Sequence, residues 1–539
     1  MNDLNMPEKN LNQEKTIATI LLGLMSWLFL CSLTIADPDL WGHTLYGIRA
    51  IEQGVFTEAT DPFSYTAAGD RWVNHEWATE YEFGGLWTQL GNRGLLLWKY
   101  VILASMTAIL TWNLCRSDSN LGARVMLVTF TTLCLGNFVV YIRPQLVTFL
   151  FFPVFLILLR TAWERPTRLI WSLPVLTMIW VNHHGGFLAG IALIGFYAVM
   201  AWGRAVLKKG DYLLAYQLSA VCGLSILSTL ITPYGIELHS MLLTHLGTEQ
   251  LVREWQSVFQ VEFSWVYVAP FLILVFAFGV GRNWKWIDLL TMAVIAAQAV
   301  MHLRHIALLC LAEVVFLPAI LTDALQRTFP NLCQRWGAPE SFRLRRFGVA
   351  AAIIFLFLLG IRGAIPIMKA GLLPTEIVVE TTSGAPGMPT RAVRFLNDHE
   401  ISGNILTDYG WAQFVIWQTF PESRVAFDGR YRTVYNPTLE TDFLEFQRTG
   451  QTLPPKTPFL DQYPTQIALL PEEAGPVSYL EKREDWQLLY SDGQARIYIK
   501  SGFLPVSKTS ALQVNLPKKS GFDWEIFPAD RITGTKIAE

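Results

Sequence analysis

The chain is 539 residues long, 52 % apolar and only 16 % charged, where a soluble domain carries about 25 % charge. With a mean hydropathy of +0.32, it reads neither as a disordered chain nor as an ordinary cytosolic enzyme. A net charge of −2 supplies no basic field for nucleic acid.

Eleven apolar runs approach the roughly 20 residues a bilayer crossing needs. They are 17–36, 94–113, 122–141, 145–161, 169–182, 186–203, 213–232, 264–281, 286–302, 305–322 and 347–366. The first is followed by Asp-Pro-Asp and has no small-residue cleavage site, so it reads as an anchor and not as a removable signal. Lys15, Arg116, Arg165, Arg204, Lys208, Arg282 and Arg327 fall on one set of helix ends, and few cations fall on the other. The positive-inside rule then puts the N-terminus in the cytoplasm and the region after residue 366 outside. The expected fold is a polytopic α-helical membrane protein of about eleven transmembrane helices, in the cell inner (plasma) membrane. Residues 1–366 form the transmembrane domain, including an outer loop at 37–93, and 367–539 form a periplasmic α/β domain. None of the six cysteines falls in an outer segment, so the external part is expected to hold together without disulfides.

The outer loop opens DPDLWGH (37–43), and 40–52 has the apolar spacing of an amphipathic helix. A Pro turn follows at 61–66, and a second amphipathic stretch covers 76–90. Two helices lying in the membrane interface suit this pattern. In the C-terminal region helices are expected near 390–398, 410–419 and 437–447. Strands are expected at 404–407, 424–427, 466–470, 486–490 and 494–499.

Polar chemistry is one-sided. His43, His75, His183, His184, His239, His245, His302 and His305 fall on outer ends or loops, and His399 falls in the external domain. Histidine is the side chain that titrates near neutral pH, so the outer face reads as the working face. Asp37 and Asp39 sit where the first span leaves the membrane, with His43, Asp61, His75 and Glu76 in the same loop. A solvated helix end with a Pro turn is the alternative. His183 and His184 read either as a polar cap between two spans or as a rim contact for phosphate, sugar or a metal. Arg143 and Arg304 stand outside against the charge trend, and Arg253 and Glu254 lie in the outer loop 233–262. An outer arginine suits a phosphate, because its fork matches two oxygens, or an internal carboxylate. Glu313 lies about 13 Å down the tenth run from Arg304 at 1.5 Å per residue. It is a buried carboxylate awaiting a partner or a proton.

One apolar run followed by Asp-x-Asp at the head of a long outer loop resembles the GT-C superfamily of membrane glycosyltransferases. The pattern D37-P-D-L-W-G-H, D61-P-F-S-Y-T, W72-V-N-H-E-W77 resembles a bacterial subgroup of it. The stretch LTDYGWAQFVIW (406–417), then RVAFDGR (424–430), is similar to the WWDYG region of oligosaccharyltransferase catalytic subunits. Leu406 and Thr407 stand where that motif has tryptophans, while Asp408 and Tyr409 match. The local alternative is a turn that opens a helix.

The resemblance implies transfer of a sugar from a polyprenyl-phosphate-linked donor to an acceptor glycan, lipid or protein on the outer face, with inversion. Asp37 is then the base, with Asp39 second, and Arg143, Arg304 or Arg253 steadies the leaving phosphate. Asp37, Asp39 and His43 are the residues that would hold Mg²⁺ or Mn²⁺ if a metal is used. A lipid-linked saccharide transporter or flippase, and an outer polysaccharide polymerase or ligase, are the competing readings.

Overall fold

The computed structural model describes residues 8–207, 210–246, 253–331, 373–379, 387–450, 457–505, 512–516 and 525–527. The run at 347–366 lies outside the described residues. The chain forms two compact units. The first holds residues 1–34, 96–235 and 248–375, and the second holds 35–95, 236–247 and 376–539.

The first unit is helical because its sequence is a succession of apolar runs broken by Pro, Gly and charge. Four helices of the described residues are long and apolar enough to cross a membrane: Gln13–Cys31, Asn92–Arg116, Gln145–Glu164 and Phe187–Val206. Five shorter apolar helices accompany them, among them Leu121–Gly136, Trp265–Val280 and Trp286–Met301. The run at 305–322 is not one straight rod. It breaks at Leu317, and Leu303–Phe316 and Pro318–Thr328 meet at 76°. Pro318 has no N–H to continue the first helix and starts the second at its first position. Ala123, Leu127, Ile273, Ala277, Leu317, Ile320 and Leu321 close over this bend as one buried cluster. Glu313 is buried just before it, and its Oε1 has no hydrogen bond among the described residues. Lys99, also buried, donates to Leu33 O at 3.1 Å, Thr34 Oγ1 at 2.9 Å and Val140 O at 3.0 Å. It thereby fixes the segment from which the first helix leaves this unit.

The second unit brings the first loop together with the C-terminal region, whereas the sequence reading grouped the loop with the apolar helices. Its sheet orders six strands as β3-β2-β4-β6-β5-β7. They are β2 (Asn404–Thr407), β3 (Arg424–Val425), β4 (Ile467–Pro471), β5 (Trp486–Ser491), β6 (Ala495–Lys500) and β7 (Val514–Asn515). A short antiparallel pair, β1 (Val378–Val379) and β8 (Glu525–Ile526), stands apart from it. β2 runs parallel to β3 and β4, while β4–β6 and β6–β5 are antiparallel. β4 reads Ile-Ala-Leu-Leu and buries each of those four residues, as a strand covered on both faces must. Thr390–Asp398, Ala412–Thr419 and Pro437–Thr449 are helices, so the expected alternation is realised.

The loop helices are Leu40–Gln53 and Trp77–Leu90. Their apolar faces are covered from within the unit and do not await a membrane interface. Trp41 packs edge-on against Phe414 at 5.5 Å, Tyr46 packs on Phe63 and Trp72, and the Tyr46 hydroxyl donates to Gln413 Oε1 at 2.5 Å.

Candidate functional site

The loop starts with a turn that its own aspartates build. Asp37 Oδ1 accepts from the Asp39 N–H at 3.0 Å, and its carbonyl accepts from the Leu40 N–H at 2.9 Å. This opens the helix Leu40–Gln53 with Asp39 at its N-cap position, and the Asp37 side chain is buried. Asp39 lies on the backbone of the RVAFDGR stretch. A Cβ at Gly429 would stand 1.9 Å from Asp39 Oδ1, so only glycine admits the carboxylate there. The Tyr409 and Tyr431 rings lie 5.0 Å apart beside these groups. Burial first, and then the charge of Asp39, pushes the Tyr409 hydroxyl far above its ordinary range. Burial likewise raises Tyr431, which holds a left-handed backbone at φ 43°. A non-glycine residue kept there is a local strain that the surrounding packing must impose.

One turn on, the loop helices cross at contact distance. A Cβ at Gly47 would lie 1.8 Å from the Glu80 carbonyl oxygen, and one at Gly84 would lie 2.2 Å from the Gly47 backbone. This crossing sets His43, one turn before Gly47, against Glu80, one turn before Gly84. His43 Nδ1 is 2.8 Å from Glu80 Oε1, and its Nε2 is 3.9 Å from Glu76 Oε2. Asn74 Nδ2 holds the other Glu80 oxygen, and His75 Nε2 is 3.8 Å from Glu76 Oε1. Burial alone would depress the His43 pKa. The hydrogen bond to Glu80 and the charges of Glu80, Glu76 and Asp39 overcome it and raise it to about 9. One ring nitrogen of His43 and one oxygen each of Glu76 and Glu80 lie within 4.8 Å of one another. Among the described residues this is the one such convergence of metal-ligating groups. Asp37 and Asp39, expected to share a metal with His43, stand outside it, because Asp37 is turned onto its own backbone and Asp39 onto Gly429.

Asp61, expected to line the pocket, is instead engaged internally. Its Oδ1 accepts from the Phe63 N–H at 2.8 Å and from Arg430 Nη1 at 2.7 Å. Arg430 also grips Asp428 and lies over the Tyr46, Phe63 and Trp72 rings at 4.9–5.5 Å. Asp408 takes the turn role open to it: Oδ1 caps the Gly410 N–H at 2.9 Å, ahead of the helix Ala412–Thr419. Burial raises its pKa against that hydrogen bond.

In the first unit, Arg143 Nη1 meets Glu254 Oε1 at 2.5 Å, and Arg304 lies over the Trp255 ring at 4.7 Å. Trp255 O is 2.9 Å from His302 Nδ1, and the His302 and His305 rings are 5.3 Å apart. Burial raises the Glu254 pKa. Arg143, by charge and hydrogen bond, together with the charges of Arg304 and His184, outweighs it and brings the carboxyl below its ordinary value. His184 Nδ1 accepts from the Gly186 N–H at 3.0 Å and is 2.8 Å from Thr148 Oγ1. His183 turns to Ile179 O at 2.7 Å. Adjacent histidines therefore make different contacts, and it is His184 whose charge acts on Glu254. The side chains of Arg253 and His245 lie outside the described residues. Sequence reasoning did not single out Glu80, Asn74 or Tyr431. The i, i+4 spacing of Glu76 and Glu80 was the available signal for the first.

No family model matches the chain, and no curated protein matches it. Among solved structures it is similar to ArnT from Cupriavidus metallidurans bound to undecaprenyl phosphate. The identity is 12 % and the TM-score 0.47, over 91 % of this chain and 98 % of that one.

Proposed function

We propose that this chain is an integral-membrane glycosyltransferase. In this reading it moves a sugar from a polyprenyl-phosphate carrier to an acceptor hydroxyl outside the cell membrane, in one inverting displacement. The observation that carries the reading is the aspartate pair in the turn after the first apolar helix, Asp37 buried and Asp39 half-buried, beside Tyr409, Tyr431 and Gly429. A carboxylate held in a fixed turn at a membrane exit is positioned to accept the proton of an attacking hydroxyl. The carrier phosphate is already a good leaving group, so it needs charge stabilisation and no acid. Arg143 and Arg304, with His184, take that role, and Glu254 holds the cationic cluster while no phosphate is there. Asp61 and Asp408 drop out of the substrate list in this reading, because both are engaged in internal hydrogen bonds.

The test is sugar transfer by the purified chain in lipid nanodiscs, given a synthetic polyprenyl-phosphate sugar and a mixed acceptor pool. Appearance of free polyprenyl phosphate with a glycosylated acceptor supports the reading. Movement of intact donor across a vesicle bilayer without cleavage overturns it in favour of a transporter. Orientation is tested alongside: an impermeant thiol reagent on intact cells should label cysteine placed at Asp70 or Glu422, exposed positions of the first loop and the C-terminal region, and spare it at the exposed Arg165.

A further inference from the structure

His43, Glu76 and Glu80 raise a question that sugar transfer does not answer. Glu76 and Glu80 stand one helical turn apart on one face, which sets like charges together. Glu80 is buried, and Glu76 and His43 are only slightly exposed. Two carboxylates withdrawn from water need a compensating cation near both. Protonated imidazoles answer these charges one at a time, His43 at Glu80 and His75 at 3.8 Å from Glu76 Oε1. A divalent cation answers both.

We propose that His43, Glu76 and Glu80 form a site for one divalent transition-metal cation of the Mn²⁺ or Zn²⁺ kind. One imidazole nitrogen and two carboxylate oxygens are a donor set for a borderline cation, and the coordination left over goes to water. The three donor atoms already lie within 4.8 Å of one another. Side-chain rotation of about an ångström brings them to the separations that 2.0–2.2 Å ligand bonds require. The site is built into the backbone, since the Gly47–Gly84 crossing fixes the distance between the two helices that carry the ligands. It also has an outer support: Asn74 Nδ2 donates to the second Glu80 oxygen and so orients the ligand. On binding, the cation takes the nitrogen lone pair that the imidazole proton occupied, and that proton passes to solvent. The opening lies on the His43 and Glu76 side, where both side chains reach water.

The inference is tested with no sugar donor present, so its failure and that of the transfer reading are separable. Full-length protein in nanodiscs is stripped with chelator and titrated with Mn²⁺ by electron paramagnetic resonance, and with Zn²⁺ by calorimetry. The expected result is one site per chain, with Zn²⁺ displacing Mn²⁺ from it. Glu80→Gln and His43→Ala should each abolish it, and Asn74→Ala should weaken it about 10–100-fold, the usual effect of losing a ligand's support. Glu52→Gln, at an exposed glutamate on the same helix, should bind as wild type. If Glu80→Gln fails to fold, Glu76→Gln and Asn74→Ala carry the test. Stripped wild type that takes up neither cation at micromolar concentration overturns the proposal. So does unchanged binding by His43→Ala.

Discussion

Arg430 Nη1 and Asp61 Oδ1 meet at 2.7 Å across 369 residues of chain, both buried, one in the C-terminal region and one in the first loop. Asp428 grips the same guanidinium through Nη2 at 2.7 Å, and Tyr435 O–H donates to Asp428 Oδ2 at 2.8 Å. The three aromatic faces around Arg430 complete a dry enclosure for one cation and two anions.

Arg430→Met leaves two carboxylates buried without a cation. Breaking a buried pair from one side costs about 3–5 kcal/mol, so the variant should lose its cooperative melt in the loop and C-terminal unit. Limited proteolysis should then cut within 55–70, while the apolar helices remain protected. An unchanged digestion pattern would show that the loop is held by other contacts.

Gly429→Ala tests the seat of Asp39. The added methyl would stand 1.9 Å from Asp39 Oδ1, so the carboxylate must move. A displacement near 1 Å at a catalytic group lowers rate by up to about 10²-fold, and a fall of at least tenfold in transfer is expected with the melt little changed. Gly85→Ala, whose Cβ meets Ile51 Cδ1 at an ordinary 3.6 Å, is the control.

Asp37→Asn keeps the turn, because the amide oxygen still accepts from the Asp39 N–H. It removes only the capacity to take a proton. Transfer should fall by at least about 10²-fold, the lower range for a lost general base. Asp39→Asn should cost less. A dead Asp39→Asn beside an active Asp37→Asn moves the base to Asp39.

Arg143→Ala and Arg304→Ala should raise the donor KM about 10–100-fold, the value of a charge-assisted hydrogen bond to phosphate, with kcat less affected. Glu254→Gln should do the reverse and lower the donor KM, since it removes the carboxylate that now holds Arg143 at 2.5 Å. Unchanged donor KM in all three variants makes the cluster a helix-end fastening.

The sequence disclosed the elements better than their company. Amphipathic spacing over 40–52 and 76–90 marked two helices within a residue of Leu40–Gln53 and Trp77–Leu90. It could not tell which partner buries the apolar faces, because a membrane surface and a protein core ask for the same periodicity. Asp61 looked like a pocket carboxylate because its partner, Arg430, lies at the far end of the chain, beyond the reach of local spacing. Glu80 passed as one more charge on a polar face. Only the approach of Gly47 to Gly84 turns that face toward His43. The break at Leu317 was hidden by unbroken hydropathy across 305–322, although Pro318 was in view.

Because the second unit is assembled from distant stretches, its biogenesis has a waiting period. Tyr46 needs Gln413, which the ribosome adds 367 residues later. At about 5–20 residues per second that interval is about 20–70 s. Throughout it Trp41, Tyr46 and Trp72 have no Phe414, Gln413 or Arg430 to cover them. A chain stopped before residue 400 would present that aromatic surface permanently. Quality-control proteases and holdases that read exposed apolar patches would therefore sense completion of the C-terminus through the state of the first loop.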